Sequence, residues 1–255
     1  MSPVLLETRQ LQVAVPGRVL IDRFDLTVRG GEFIALLGGN GAGKSLLLRT
    51  LAGLREPAAG AVLLDQREIK LHARRDIARR LGFLPQDPDA PPQGLLTETV
   101  LLGRFAHLGF WEMTAAADNE RAAAALGDVG LEALGQRELG TLSGGEQRRA
   151  AIARLLVQAP AIYLLDEPTN HLDPAQQLKI LERLRTLTRS GAAVIASLHE
   201  PNLALRYADR ACLLSGMGDA ALVDCAALDA GHLERLYGLR YAEARVGAQR
   251  FMAPE

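Results

Sequence analysis

Apolar and polar residues alternate in short runs over residues 4–32, interrupted at Pro16-Gly17 and Gly30-Gly31. A period of two broken by turn residues predicts antiparallel or edge strands, so a small β-rich subdomain opens the fold. Residues 33–37 are apolar at every position, which suits a strand buried on both faces, and the run stops at Gly38-Gly39. From Ser45 the segment SLLLRTLAGL gathers its leucines on one stripe of a helix that ends near Gly53. Strand-like runs recur at 61–64, 81–84, 161–165 and 192–198, with helical patterns between the later ones. Short apolar strands alternating with amphipathic stretches predict an α/β fold, a parallel or mixed sheet flanked by helices, beside the amino-terminal antiparallel β-subdomain.

Between 84 and 161 the pattern changes. A proline-rich joint over 85–94 opens a stretch rich in Ala and Leu with no strand signal, which reads as an inserted helical subdomain. The expected organisation is one domain over 1–255, its core drawn from 1–85 and 161–255 and its helical subdomain from 86–160.

Composition narrows the field. With 255 residues, 48% hydrophobic and 23% charged, the chain can bury a sizeable core without disulfides or a structural metal. Its 29 Lys+Arg against 30 Asp+Glu leave a net charge of −1, which disfavours nucleic acid as the main partner. No run approaches the ~18 to 20 apolar residues of a membrane span, so any work at a membrane is done from outside the bilayer. Glu7 and Arg9 interrupt the apolar stretch a signal region would need, and the chain is expected to stay in the cytosol. Cys212 and Cys225 fit no metal spacing and read as reduced thiols acting as small apolar residues.

The residues that carry chemistry begin where the first buried strand ends. Gly38-Gly39-Asn40-Gly41-Ala42-Gly43-Lys44-Ser45 fits G-x-x-x-x-G-K-[ST], with a buried strand before it and a helix after it. Its glycines let successive N–H groups turn inward, and the helix presents the positive end of its dipole to a β-phosphate. Lys44 would reach the β- and γ-phosphates, and the Ser45 hydroxyl is a natural ligand for Mg2+. Downstream, the strand at 161–165 ends in Asp166-Glu167, at the edge where such sheets open a ligand crevice. Adjacent acids on an extended chain point different ways, so Asp166 is assigned to the Mg2+ shell and Glu167 to the water attacking the γ-phosphate. Leu142-Ser143-Gly144-Gly145-Glu146-Gln147 opens another helix and offers a second anion-binding terminus. It could serve the same nucleotide if the chain folds back, or a nucleotide held by another copy of the chain.

With LSGGEQ placed after the phosphate loop and before Asp166-Glu167, the chain resembles, over nearly its whole length, the ATP-binding subunit of an ABC transporter, built on a P-loop NTPase core. The resemblance implies ATP and Mg2+ as ligands. It implies two chains sandwiching two nucleotides, with the loop from Gly38 to Leu46 facing the partner copy's signature residues, here Ser143, Gly144 and Gly145, and a lone subunit nearly inactive. By the same resemblance Gln86 matches a hinge glutamine that touches Mg2+ and the attacking water and moves the helical subdomain, a lever stiffened by Pro85, Pro88, Pro91 and Pro92. His199 matches the switch histidine at the γ-phosphate. Asp173 matches a dimer-contact loop, and also reads as a helix N-cap before Pro174.

Departures from the family pattern carry their own expectations. Val15 stands near the place of an adenine-stacking aromatic, and no aromatic occurs before Phe24. An aliphatic face would then cover the base, with modest discrimination between ATP and GTP. Leu46 replaces a second hydroxyl beside Ser45, at a cost of about 1 kcal/mol in phosphate binding, and Gly39 replaces a common proline.

The VLLGR run within 97–109 resembles importers of iron–siderophore, haem and cobalamin. Phe105, Leu108, Phe110 and Trp111 read either as a groove for a permease helix or as the core of the helical subdomain. The implied partners are a second copy, integral-membrane permease subunits and, indirectly, a substrate-binding protein, with the chain peripheral at the cytoplasmic face of the inner membrane. The rival reading is a soluble ABC-type ATPase acting on nucleic acid or ribosomes; such proteins usually carry two cassettes or long coiled coils.

Overall fold

The computed structural model describes residues 2–86, 94–109, 115–247 and 249–255. In chain order its elements are β1 (Val4–Val15), β2 (Arg18–Arg29), β3 (Phe33–Leu37), α1 (Lys44–Leu51), β4 (Ala59–Leu64), β5 (Arg67–Glu68), α2 (Arg74–Arg80) and β6 (Leu81–Leu84). There follow α3 (Leu96–Leu101), α4 (Ala116–Asp128), α5 (Gly144–Gln158), β7 (Ile162–Leu165), α6 (Pro174–Arg189) and β8 (Ala193–Ser197). The chain ends with α7 (Pro201–Tyr207), β9 (Arg210–Leu214), β10 (Ala220–Asp224), α8 (Ala230–Tyr237), β11 (Tyr241–Val246) and β12 (Gln249–Pro254).

The alternating amino-terminal run forms the antiparallel hairpin β1–β2, turned at Pro16-Gly17, within a sheet ordered β2-β1-β4-β5. The apolar run at 61–64 belongs here, with Leu64 opposite Leu6 and Val62 opposite Thr8. It does not join the helix-flanked sheet. That larger sheet runs β10-β9-β3-β8-β7-β6, with β9, β3, β8, β7 and β6 parallel and β10 antiparallel at one edge.

Its strands divide their side chains between two cores, as a period of two requires. Phe33, Ala35 and Leu37, with Tyr163, Leu165, Val194 and Ala196, face a cluster shared with the α3, α4, α5, α6 and α8 helices. Ile34, Leu36, Leu164 and Ile195 face the opposite cluster, where Leu47, Leu48 and Leu51 of α1 wedge between this sheet and the antiparallel one. The unbroken apolar run of β3 is therefore the sequence of a strand covered on both sides.

Between β6 and β7 the described residues form helices and short 3-10 turns, closed at the base by a single bridge between Leu95 and Glu138. α3 and α4 pack on α5 through Leu96, Val100, Ala122, Leu126 and Ile152. The carboxyl-terminal hairpin β11–β12 docks on α7, where Asn202 donates to the Met252 carbonyl at 3.1 Å and accepts its N–H at 2.8 Å. Cys212 and Cys225 are buried and unpaired, and burial pushes each thiol up to about 12. Among the described residues no helix is long and apolar enough to cross a membrane.

Candidate functional site

Four loops leave the carboxyl ends of β3, β6, β7 and β8 on the same edge of the parallel sheet, which brings distant sequence segments together. A cavity of about 390 Å³ opens there, lined by the phosphate loop from Asn40 to Leu46, by Gln86, Glu167 and His199, and by Leu20 from β2.

The phosphate loop takes its shape from left-handed backbone at Gly41 and Gly43. Gly43 caps α1 at φ 99, and a Cβ there would press on Leu20 at 3.3 Å. α1 begins with no capping side chain and no acid in its first turn, so its N–H groups are left for an anion. Lys44 is buried, with Nζ donating to the Gly38 carbonyl at 2.7 Å and the Gly39 carbonyl at 3.0 Å. Desolvation lowers its pKa below the ordinary lysine value, and the Glu167 and Asp166 carboxylates pull it partly back.

The acid pair is built by neighbouring strands. Asp166 is buried and its N–H continues the β6–β7 ladder to the Leu84 carbonyl at 2.8 Å. Its Oδ1 accepts from the Ser197 hydroxyl at 2.8 Å, and the Ser197 oxygen accepts the Glu167 N–H at 2.7 Å. Glu167 then turns into left-handed backbone at φ 50, which swings its carboxylate away from Asp166 and into the cavity. There Oε1 lies 2.6 Å from His199 Nε2, and Oε2 accepts from the Asn170 amide at 3.0 Å.

The residues expected to hold Mg2+ fit a hard cation. Neither the Ser45 hydroxyl nor the Asp166 Oδ2 has a protein partner among the described residues, so both oxygens are available. Among those residues no three His, Cys, Asp or Glu side chains cluster to hold a metal unaided, so phosphate and water oxygens would complete its shell.

Other expected residues lie outside this cavity. Val15 is half-buried against the apolar cluster beneath the antiparallel sheet, while Leu20 supplies the aliphatic wall. Ser143 caps α5, its oxygen accepting the Glu146 N–H at 3.3 Å while its own N–H donates to the Glu146 carboxylate at 2.8 Å. Ser143, Gly144 and Gly145 do not line the cavity of their own chain. They adjoin the turn after Glu167, where a Cβ at Gly145 would sit 3.1 Å from the His171 carbonyl. Asp173 is the N-cap of α6, accepting the Gln176 N–H at 2.9 Å before Pro174.

Phe105 is 76% exposed and therefore not a core residue, whereas Leu108 is half-buried. Phe110, Trp111, Pro88, Pro91 and Pro92 lie outside the described residues. Two functional candidates escaped the sequence reading, Ser197 and the buried Arg148 of α5; neither belongs to a motif, and the strand order brings Ser197 to the acids while Arg148 reaches their carbonyls from the helix packed beside them.

A phosphate-binding loop and an acid pair on a parallel sheet, with a second anion-type helix terminus on a helical insertion, define a cassette ATPase. Residues 21–170 match the ABC transporter family, and the chain belongs to it as an ATPase coupled to transport. It is 43% identical over 223 residues to the hemin import ATP-binding protein HmuV of Rhodopseudomonas palustris, covering 83% of this chain and 79% of that protein. It is 38% identical over 244 residues to the ferric enterobactin transport ATP-binding protein FepC of Escherichia coli K12, covering 94% and 89%. The solved inward-facing conformation of a metal-chelate type ABC transporter superposes with TM-score 0.83 at 26% identity, over 99% of this chain and 98% of that one. None of these likenesses supports the reading as a soluble ATPase acting on nucleic acid.

Proposed function

We propose that this chain is the ATP-hydrolysing subunit of an importer for a metal chelate, an iron–siderophore or haem or the chemically related cobalamin. Two copies would act head to tail at the cytoplasmic face of the inner membrane, bound to permease subunits that receive cargo from a substrate-binding protein. Relatives named for hemin and ferric enterobactin uptake support the cargo class. The observation that carries the two-copy reading is the cavity's lining, in which Gln86, Glu167 and His199 face the phosphate loop while Ser143, Gly144 and Gly145 stay outside. A partner's α5 terminus is then needed to close the triphosphate from the open side.

In this reading the loop N–H groups from Gly38 to Ser45, with Ala42 among them, hold the β-phosphate, and Lys44 bridges the β- and γ-phosphates. Leu46 and Leu20 bound the cavity with aliphatic surface, and Val15 flanks the adenine side. Ser45, Asp166 and Gln86 would hold Mg2+, which neutralises charge on the phosphates when bound. Glu167 orients a water whose oxygen attacks the γ-phosphorus, and takes its proton as the bond to the β–γ bridging oxygen breaks, leaving ADP and inorganic phosphate. His199, one hydrogen bond from Glu167, fixes that carboxylate and meets the γ-phosphate. Asp173 joins the contact between copies, and 86–160 moves as the helical lever.

The test is hydrolysis of MgATP by the purified chain at rising protein concentration. The rate should climb more steeply than linearly. Lys44→Ala should abolish both binding and turnover, and Glu167→Gln should abolish turnover while ATP still binds and holds dimers together on size-exclusion chromatography. A rate strictly proportional to concentration, or turnover preserved in Glu167→Gln, contradicts the proposal.

A further inference from the structure

Arg148 lies five residues beyond Ser143, about one and a half turns into α5. Its side chain points away from solvent toward the ends of β6 and β7 and is 4% exposed. Nη1 donates to the Pro85 carbonyl at 2.5 Å and the Gln86 carbonyl at 2.8 Å; Nη2 donates to the Glu167 carbonyl at 2.9 Å and to the Asp166 carbonyl.

The need for such a group follows from the strand chemistry. β6 and β7 are parallel neighbours, with Leu84 opposite Leu165, and the Asp166 N–H to the Leu84 carbonyl is the last step of their ladder. Beyond it β6 and β7 end, at Leu84 and Leu165, and no further backbone rung joins them among the described residues. Just past it the Asp166 and Glu167 carbonyls are buried while those of Pro85 and Gln86 lie nearer the surface, and a buried carbonyl left without a donor is destabilising. One planar guanidinium, with its fixed fork of N–H groups, serves all four. The same contacts hold the backbone of Gln86 and of Glu167 to one side chain of the signature helix. The Glu167 peptide is gripped from both sides, its carbonyl by Arg148 and its N–H by Ser197, in the left-handed conformation that aims its carboxylate.

Arg148 is not part of the cavity lining, so it acts through other residues. We propose that Arg148 is a positioning residue that makes the placement of Gln86 and Glu167 follow the position of α5, so that engagement of Ser143–Gly145 by the opposing nucleotide sets the hydrolytic groups. This rests on the two-copy reading above.

The experiment compares wild type, Arg148→Gln, Arg148→Lys and Glu167→Gln as full-length chains, measuring kcat and KM for MgATP and nucleotide-driven dimerisation. Losing these charge-assisted hydrogen bonds predicts a kcat for Arg148→Gln lowered about tenfold or more, with KM within about threefold of wild type. Arg148→Lys, which keeps the cation and three donors, should recover part of kcat, and dimerisation should persist when Arg148→Gln is combined with Glu167→Gln. A kcat unchanged in both Arg148 variants overturns the inference, as does a parallel loss of affinity and turnover or a lysine variant no better than the glutamine one. If Arg148→Gln does not fold, the lysine variant decides alone, since a wild-type kcat there refutes the positioning role. Absence of turnover in wild type would instead sink the proposed function itself.

Discussion

At the scale of single residues, Ser197 shows how little side chain is needed to organise the acid pair. Its hydroxyl donates to Asp166 and accepts from the Glu167 backbone, all within buried surroundings. Ser197→Ala leaves one buried N–H and one carboxylate oxygen without a partner, and should lower stability by about 1–3 kcal/mol. Thermal unfolding should register that loss and ATPase assays a fall in kcat; an unshifted melting curve would contradict it. Lys44 gives a pH test. Only its protonated form binds phosphate, and its pKa is lowered chiefly by desolvation while Glu167 and Asp166 raise it. Nucleotide affinity should therefore be full near neutrality and decline with rising pH before a solvated lysine would titrate. Glu167→Gln removes one of the groups that raise the pKa, so fluorescent-nucleotide titrations should show the decline starting at lower pH in that variant; coincident curves would argue against it. Lys44 and the Asp166-Glu167 pair were singled out because they belong to spaced motifs, and His199 because the resemblance supplies it; the structure brings Lys44, Glu167 and His199 to one cavity. Ser197 was not singled out, because it closes an otherwise apolar run, and its contacts exist only because β8 lies between β3 and β7.

At the scale of elements, the run at 100–104 has a packing reason for its glycine. Gly103 sits in a 3-10 turn after α3, where a Cβ would collide with the Arg154 carbonyl of α5 and lie 3.0 Å from the Gln158 N–H. Backbone cannot retreat as a flexible side chain can, so Gly103→Ala should force α3 off α5 and cost about 1–3 kcal/mol, an overpacking penalty. Chemical denaturation checks this, and a variant as stable as wild type would remove the close-packing argument. The alternating run at the amino terminus gave its hairpin correctly, and β3 announced its two covered faces. The run at 61–64 showed only that it is apolar, not which strand it meets. β9 went unread because it is a short run opened by Arg210, and β10 to β12 for a different reason: β10 is half-exposed at a sheet edge, and β11 and β12 mix charged and apolar residues with little burial, so neither period stands out.

At the scale of the whole molecule, a groove of about 720 Å³ runs between α2 and the helical insertion, lined by Arg74, Arg75, Leu102, Phe105, Leu108 and Arg154. Arg75 and Arg79 of α2 donate to the Ala106 carbonyl at 3.1 and 2.9 Å, so the segment carrying Phe105 is tied to the core side while Gly103 ties it to α5. On the proposed reading, in which 86–160 moves as a lever, rotation of the insertion against the core would reshape this groove and make it the mechanical output of the hydrolytic cycle. A large aromatic left 76% exposed beside Leu102, itself exposed, and half-buried Leu108 is the composition of an interface anchor. Taken with the proposed permease partner, Phe105→Ala should weaken binding to the permease by about 2 kcal/mol or more, a loss of about thirtyfold, as central aromatic anchors do. Because the side chain is mostly solvated in the free subunit, folding and ATPase activity of the isolated chain should stay within about 0.5 kcal/mol of wild type. Co-purification from detergent-solubilised membranes and uptake of the metal chelate should both fall while the free enzyme still turns over. Retention of the permease by the variant would place the docking site elsewhere, and loss of the fold would return Phe105 to the core.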